Sequence, residues 1–514
     1  MFDPALSQKL GIAVICTAAL TLAVYLGAQI GNSIYSPLLL GAAALIVLSI
    51  PFFSGHFFWV LTIASSFLGG TFPVLGGQFT PFQILMAIGV VKFLVGDVVL
   101  KHSRIKKPAR FDGLLIAGFM AVLIWHGVHD RFGMKFLGSS IWGGRHYVNV
   151  FVGLAAFFVI LTVPMKPKLW AKLPHMIMAV TIFDLAIAII TTLFPASIYK
   201  IYPFYSAVSQ SGIEEITSGE SVTGRIGAFG NFGFILITWV LASINVRTIL
   251  LPSNFFRLVG LVIGGFSVLY SGFRSAVINT FVGFLAAGIR DLKWAVVALL
   301  PLAAIILFGV SFVNSEIVKL PKQVQRSLVF IPGHWDTEMV LDAEASNDFR
   351  RRVWSLWLRD YFPAHPFVGR GFGFKSEWGH RLVNPNDPYL DIQVIETGTI
   401  HNGFLAALDC FGIIGTTFFV IWNWRLLAQT FRVPSPRTNP EAVALRFLGI
   451  YLAVWIICYW MGALDVGSFL PREFALAGLF LRLQRENKLV AEVPTSSSPK
   501  EGQRVGNRFA VARG

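Results

Sequence analysis

Long apolar runs separated by short polar connectors dominate the chain between residues 10 and 483. A helix needs about twenty apolar residues to cross the hydrocarbon core of a bilayer, and many of these runs approach that length. The pattern therefore predicts an all-α, polytopic transmembrane helix bundle with twelve to fourteen spans. The fourteen candidate spans lie near 10–30, 36–53, 56–73, 81–100, 112–129, 146–164, 174–195, 228–246, 255–271, 274–290, 293–313, 402–424, 445–463 and 467–483.

Composition and charge agree with this pattern. The chain is 55% hydrophobic and 13% charged, whereas soluble domains carry about 25% charged residues. The net charge of +15 is spread over connectors such as 101–110, 166–172 and 425–446, as the positive-inside rule expects of cytoplasmic loops. With fourteen spans these connectors fall on one side together with the C-terminal tail, so both termini are expected in the cytoplasm. A basic surface for another partner is the less favoured interpretation.

One long polar connector interrupts the bundle. Residues 314–400 form a predicted extracytoplasmic loop that is rich in Trp, Phe and Tyr, which favours a folded and functional segment over disorder. Its stretch from Arg350 to Arg359 has the pattern of an amphipathic helix lying at the membrane surface. The predicted organisation is a membrane domain over residues 1–483, which includes this loop, and a disordered cytoplasmic tail over 484–514.

Two arginines stand at the extracytoplasmic ends of predicted spans. Arg225 precedes the span at 228–246, and Arg274 lies in the turn between 255–271 and 274–290. An ionised side chain at membrane depth is costly and marks a candidate functional site, and a guanidinium matches phosphate oxygens with two parallel hydrogen bonds. The alternative is that both side chains extend to the interface or pair with Glu214, Glu215 or Glu220.

His401 stands where the long loop meets the span at 402–424. A histidine at a helix N-terminus feels the positive end of the helix dipole, which favours the neutral imidazole. A neutral imidazole can accept a proton from an attacking hydroxyl group. The alternative is a histidine that only caps the helix.

Other polar motifs in the loop carry less information. The run Arg350–Arg352 could hold phosphates or acidic glycans, or it could anchor the loop to anionic headgroups. The Gly-rich turn 369–373 does not follow a strand and open a helix, so it does not predict a nucleotide site. Asp387 and Asp391 are close in sequence but lack further ligands, so no metal site is predicted.

Together these residues resemble the bacterial O-antigen ligase/O-antigen polymerase superfamily. The resemblance spans roughly residues 145 to 425 and is carried by Arg225 with Gly227 and Asn231, the turn ending at Arg274, Arg352-x-Trp354, Pro366-Phe367-x-Gly369-x-Gly371, and His401-Asn402-x-x-Leu405. It implies an inner-membrane glycosyltransferase of the GT-C type whose active site faces the periplasm. Such enzymes use undecaprenyl-diphosphate glycans as donors, without a metal ion, nucleotide or other cofactor.

Carried onto this chain, the resemblance implies that Arg225 and Arg274 bind the donor diphosphate. His401 would activate the acceptor hydroxyl or position the reacting centre, and Arg352, Asn402 and Arg145 are further candidates for substrate contacts. Two features depart from the family pattern. Ile278 stands where the family usually has a leucine after the arginine, and the family more often has about twelve spans, against the fourteen candidates here.

The sequence leaves the exact reaction open. A polymerase would join lipid-linked repeat units into an O-antigen or exopolysaccharide, and the long basic loop favours this reading because it suits an anionic growing chain. A ligase would transfer a finished glycan to lipid A core. A polysaccharide or lipid transporter is disfavoured because the notable charges gather at one face and no internal repeat is visible. Expected partners are the lipid-linked donor, the glycan or lipid A core acceptor, membrane lipids, a chain-length regulator and a flippase, but not nucleic acid.

Overall fold

A computed structural model describes most of the chain. The described residues are 55–74, 77–94, 108–129, 131–134, 139–163, 166–201, 205, 225–375, 377–378, 388–433, 439–462 and 466–492. The predicted spans near 10–30 and 36–53, the acidic residues between 214 and 220, and the tail beyond 492 lie outside these ranges.

The described part of the chain is an all-α bundle, as predicted, with one short antiparallel hairpin of β1 (Phe72–Val74) and β2 (Gly77–Phe79). The helices are α1 (Phe57–Ser65), α2 (Pro81–Lys92), α3 (Arg110–His129), α4 (Gly144–Thr162), α5 (Leu173–Leu193), α6 (Gly227–Ser243), α7 (Phe255–Tyr270), α8 (Arg274–Leu292), α9 (Leu299–Phe312), α10 (Lys322–Leu328), α11 (Thr337–Leu356), α12 (Leu390–Glu396), α13 (Gly403–Thr430), α14 (Pro440–Met461) and α15 (Val466–Glu492). One-turn helices occur at Pro167–Trp170 and Ile198–Ile201, and π-helical turns at Val313–Ile317 and Trp357–Tyr361 extend α9 and α11.

Seven helices of the described residues are long and apolar enough to cross a membrane: α3, α4, α5, α7, α8, α13 and α14. The chain is therefore a polytopic membrane protein. The predicted crossing at 56–73 is wrong as a single span, because α1 has nine residues and ends at Ser65 before the hairpin. The predicted span at 467–483 is part of α15, which continues to Glu492 and so makes the first residues of the predicted tail helical.

Small residues lie at the contact between helices α4 and α15. α15 packs along α4, where a side chain at Gly153 would lie 2.6 Å from the Cα of Pro471 and one at Gly478 would lie 2.9 Å from the carbonyl oxygen of Phe157. Small residues let the two backbones approach closely, and the resulting van der Waals packing stabilises helix association in lipid, where the hydrophobic effect does not act between helices. α14 is the most deeply buried of the seven candidate spans and contacts α6, α8, α13 and α15.

The long loop is anchored in a break of α13. Gly412 leaves helical geometry, with φ 60° and ψ −170°, so the amides after it lose their partners within the helix. The loop supplies new ones: Ile413 donates to the carbonyl of Pro366 at 2.8 Å, and Ile414 donates to that of Phe367 at 3.0 Å. The loop is thus part of the bundle end rather than a separate appendage.

Inside the loop, α11 is amphipathic as predicted, but its apolar face is covered by protein. Val353 and Trp357 are buried in a small core with Ile395 and Ile400, which belong to α12 and the segment before α13. This packing places α11 across the end of the bundle, where it meets the residues described next.

Candidate active site

Arg225 is held next to the turn that carries Arg274. The amide of Ile226 donates to the carbonyl of Ser271 at 3.1 Å, and the guanidinium of Arg225 lies over the ring of Phe273 at 5.8 Å from its centroid. Gly272 permits the turn with a φ of 75°, a conformation that side chains rarely adopt. The two arginines that the sequence singled out therefore stand at adjoining helix ends.

Helix α11 contacts the side chains of both arginines. The Nη2 of Arg225 lies 3.8 Å from Oδ2 of Asp342, and the Nη1 of Arg274 donates to Oδ1 of Asn347 in a long hydrogen bond of 3.5 Å. Neither arrangement satisfies a guanidinium fully, since an ideal carboxylate partner would accept two short hydrogen bonds. The predicted partners near 214–220 lie outside the described residues, so pairing with them stays open.

His401 also lies beside helix α11. Its ring centroid lies 6.3 Å from that of Phe349 in α11. Asp342 and Phe349 are seven residues apart, a distance of about 10 Å along a helix. Arg225, Arg274 and His401 thus contact a stretch of about two turns of α11, and the structure brings the three predicted residues to one site.

The helix cap is Asn402, not His401. The Oδ1 of Asn402 accepts from the amides of Phe404 at 3.0 Å and Leu405 at 3.1 Å, which satisfies the first free donors of α13. The alternative reading of His401 as a simple cap is therefore wrong. Asn402 has a structural task, and its predicted contact with substrate stays a prediction.

His401 itself adopts a left-handed backbone conformation with a φ of 58°. Such a conformation costs about 1–2 kcal/mol for a residue with a side chain. It is enforced by the next residues, because Gly403 donates to the carbonyl of Gly462 at 3.1 Å and packs directly on the carbonyl of Tyr459. A strained backbone of this kind marks His401 as a candidate functional residue.

The electrostatic surroundings favour the neutral imidazole. Desolvation by the packed neighbours lowers the pKa of His401, and the positive charge of Arg350 lowers this pKa further, although the ring keeps an exposed side. A neutral imidazole with an accessible nitrogen can accept a proton.

The arginine run of α11 divides into paired and unpaired members. Arg351 pairs with Asp348 at 3.2 Å, and Arg352 pairs with Asp391 at 3.2 Å, both near the surface. The side chain of Arg350 makes no ion pair or hydrogen bond with the residues that the structure describes. Of the three, Arg350 is therefore the member without an ion pair, and the predicted contact of Arg352 with substrate stays a prediction.

Arg326 and Asp342 were not anticipated from the sequence. Arg326 in α10 is only 4% exposed, and its Nη2 donates to Oδ2 of Asp342 at 2.5 Å. Single charges inside a loop of this length give no periodic or motif signal, so sequence reasoning had nothing to detect. Their place beside Arg225 emerges only from the packing of α10 and α11 under the turn at Gly272.

The Gly-rich turn 369–373 is a structural element. Arg370 makes a fork to Asp409 of α13, with Nε to Oδ1 at 2.9 Å and Nη2 to Oδ2 at 2.7 Å. Gly369, with a φ of 77°, fits against α13 where a side chain would lie 2.6 Å from the carbonyl of Asp409. The turn therefore ties the loop to the helix that begins just after His401.

Arg145 lies at the start of α4 and is exposed. The neighbouring Trp142 pairs with Phe374 of the long loop through two backbone hydrogen bonds of 2.7 and 2.9 Å. Arg145 therefore stands beside the loop, and its contact with substrate stays a prediction.

Among the described residues, no group of three or more His, Cys, Asp or Glu side chains is arranged to hold a metal ion. The charged groups at the site are instead guanidiniums, with one carboxylate shared between two of them.

Comparison with known proteins relates part of the chain to a known family. No curated protein matches the chain. Residues 259–420 match the family model described as O-antigen ligase. The matched segment contains Arg274, Arg326, Asp342, Arg350 and His401, while Arg225 precedes it. The match to residues 259–420 of this membrane protein agrees with the O-antigen ligase/polymerase superfamily that the motifs resemble.

Proposed function

We propose that the protein is an inner-membrane glycosyltransferase that polymerises polysaccharide repeat units carried on undecaprenyl diphosphate. The observation that supports this most is the meeting of Arg225, Arg274, Arg350 and His401 around two turns of α11. Three guanidiniums suit the two phosphates of a lipid diphosphate, and an imidazole beside them suits an acceptor hydroxyl.

The proposed reaction is a direct displacement. The acceptor hydroxyl oxygen attacks the anomeric carbon of the donor sugar, and the bond from that carbon to the diphosphate oxygen breaks. The bonding electrons leave with undecaprenyl diphosphate, whose growing charge Arg225, Arg274 and Arg350 stabilise. The hydroxyl proton passes to His401, which is poised for this because it is neutral before the reaction.

In this proposal the site faces the periplasm and both termini lie in the cytoplasm. The long loop with α10, α11 and α12 is then extracytoplasmic, and the polar tail is cytoplasmic. This orientation rests on the basic connectors and on the need to meet a lipid-linked glycan after it has been flipped across the membrane. A flippase and a chain-length regulator are the partners that such a reaction requires or uses.

Ligation is the second candidate, and the description of the matching family as O-antigen ligase favours it. The same displacement would then transfer a finished glycan to lipid A core. The length of the loop supports polymerisation, but its charge does not: residues 314–400 contain ten Lys and Arg against eleven Asp and Glu. The exposed Arg351 and Arg352 are paired with Asp348 and Asp391.

The experiment uses purified protein in sealed proteoliposomes with a lipid-linked repeat unit from the source organism. A ladder of longer lipid-linked glycans formed from the repeat unit alone is the expected result. Transfer that requires added lipid A core would establish the ligase instead. Absence of any glycan transfer, with lipid-linked glycan moved across the bilayer, would contradict both and favour a transporter.

A further inference from the structure

A carboxylate lies between Arg225 and a second, buried arginine. The Oδ2 atom of Asp342 accepts from the Nη2 of Arg326 at 2.5 Å and lies 3.8 Å from the Nη2 of Arg225. The Arg326 side chain is 5% exposed, whereas those of Asp342 and Arg225 are 34% and 45% exposed. The three groups therefore form a line from the protein interior to the open site.

The inner end of this line is fixed by packing. Arg326 lies in α10 between buried neighbours, and the adjacent Ser327 donates through its hydroxyl to the carbonyl of Leu269 at 2.8 Å. A side chain at Gly272 would lie 3.7 Å from the Cα of Arg225 and 3.8 Å from the Cδ of Arg326, so the turn lies beside both arginines. α10 and the turn thus hold both arginines relative to each other.

The charges explain why the outer arginine stays available. A buried guanidinium must be paired, because an unpaired buried charge is costly. Arg326 takes the short contact with Asp342, which leaves Arg225 with a longer and weaker one. Arg225 is therefore oriented by the carboxylate without being neutralised by it.

We propose that Asp342, held by Arg326, is a positioning residue that aims Arg225 at the diphosphate of the donor. This inference rests on the proposed function and adds two residues to its site. A carboxylate next to an anionic donor does not help the donor to bind, so its contribution must come through the geometry of Arg225 in the transition state.

The test is the Asp342→Asn variant, which keeps the shape of the side chain and removes its charge. We expect kcat for glycan transfer to fall by about tenfold to a hundredfold, as small misplacements at a reacting centre do, while the KM for the lipid-linked donor does not rise. A purely structural role would not separate kcat from KM in this way. The matched control is Asp348→Asn on the same helix, whose partner Arg351 is exposed, and it should behave as wild type.

A double-mutant cycle with Arg225→Ala makes the test specific. If Asp342 acts through Arg225, Asp342→Asn causes no further loss of kcat in the Arg225→Ala background. Full kcat in Asp342→Asn, or losses that simply multiply in the double variant, would overturn the proposal. Should Asp342→Asn fail to fold by its melting temperature in detergent, Arg326→Lys replaces it in the cycle, because it keeps the buried charge and loses the fork.

The two hypotheses fail in different ways. Wild-type protein that transfers no glycan to any acceptor contradicts the proposed function. Active wild-type protein with unchanged kcat in Asp342→Asn contradicts only the positioning role.

Discussion

At the scale of single residues, substitutions of His401 should change protein stability and transfer activity by different amounts. Its φ of 58° suits glycine better than any residue with a side chain. We therefore expect His401→Gly to be more stable than His401→Ala by about 1 kcal/mol, while both variants lose transfer activity by about 10²-fold or more because the base is gone. Denaturation in detergent and a transfer assay measure the two effects. An active His401→Ala variant would remove the imidazole from the mechanism.

Arg350 should control the pH dependence of the reaction. A base acts in its neutral form, so the rate is lost as the pH falls through the pKa of His401, which lies below its usual 6.5. Removing the positive charge in Arg350→Gln should raise this pKa and move the acidic limb of the pH–rate profile to higher pH. The control is Arg351→Gln, whose charge is paired with Asp348. An identical acidic limb in Arg350→Gln and wild type would contradict the coupling.

Arg274 should require its fork and not only its charge. Arg274→Lys keeps a positive charge but loses the planar pair of donors, so we expect kcat to fall by roughly 10²-fold. The matching surface variant is Arg359→Lys, because Arg359 pairs with Asp360 and its side chain is 74% exposed, and this variant should retain activity. Normal turnover by Arg274→Lys would argue against bidentate binding of the donor.

The sequence singles out Arg225, Arg274 and His401 because each stands at a place with a physical signal. Arg225 and Arg274 are charges at the ends of apolar runs, and His401 stands where a loop enters a helix. Arg326 and Asp342 carry no such signal, since a charge within a long polar segment is unremarkable until the fold buries it. Arg350 was visible as part of a run, but only the pairing of its two neighbours shows which member is unpaired.

At the scale of elements, the loop and α13 depend on each other. The carboxylate of Asp409 accepts from Arg370 through two hydrogen bonds and from the Nε1 of Trp357 at 2.7 Å. Asp409→Ala leaves the guanidinium of Arg370, 14% exposed, with a weaker partner in Glu396 at 3.3 Å. We expect a loss of about 3–5 kcal/mol of folding free energy, measured by denaturation in detergent, together with easier proteolysis of the loop. Wild-type stability in Asp409→Ala would show that other contacts anchor the loop.

The same elements show what a hydrophobic pattern does not predict. The amphipathic pattern of residues 350–359 was correct, but the partner of its apolar face is the protein core around Ile395 and Ile400. Periodicity reports that a face is apolar, not what covers it. Likewise the apolar run 56–73 was read by its length alone, whereas the run divides into the short helix α1 and the start of a hairpin.

At the scale of the whole molecule, hydrophobicity predicted the class correctly, and seven of the fourteen predicted spans correspond to helices of the described residues that are long and apolar enough to cross a membrane. It was less informative about the interior. The bundle buries charges that the sequence did not mark as paired. Arg446 and Asp291 form a fully buried fork with contacts of 2.8 and 2.6 Å at a distance from the proposed site. Because such ion pairs join distant parts of the chain, no local sequence pattern predicts them. The charges at helix ends near α11 differ from them in being incompletely satisfied.

The incompletely satisfied charges near α11 support the central proposal that this end of the bundle is a site for displacing a lipid diphosphate. The most direct measurement counts glycosidic bonds formed and undecaprenyl diphosphate released, using wild-type protein and His401→Ala in nanodiscs. The account predicts one lipid diphosphate released for each bond in wild-type protein and neither product above about a hundredth of that rate in His401→Ala. Bond formation without release of the lipid diphosphate, or both products at the wild-type rate in His401→Ala, would contradict it.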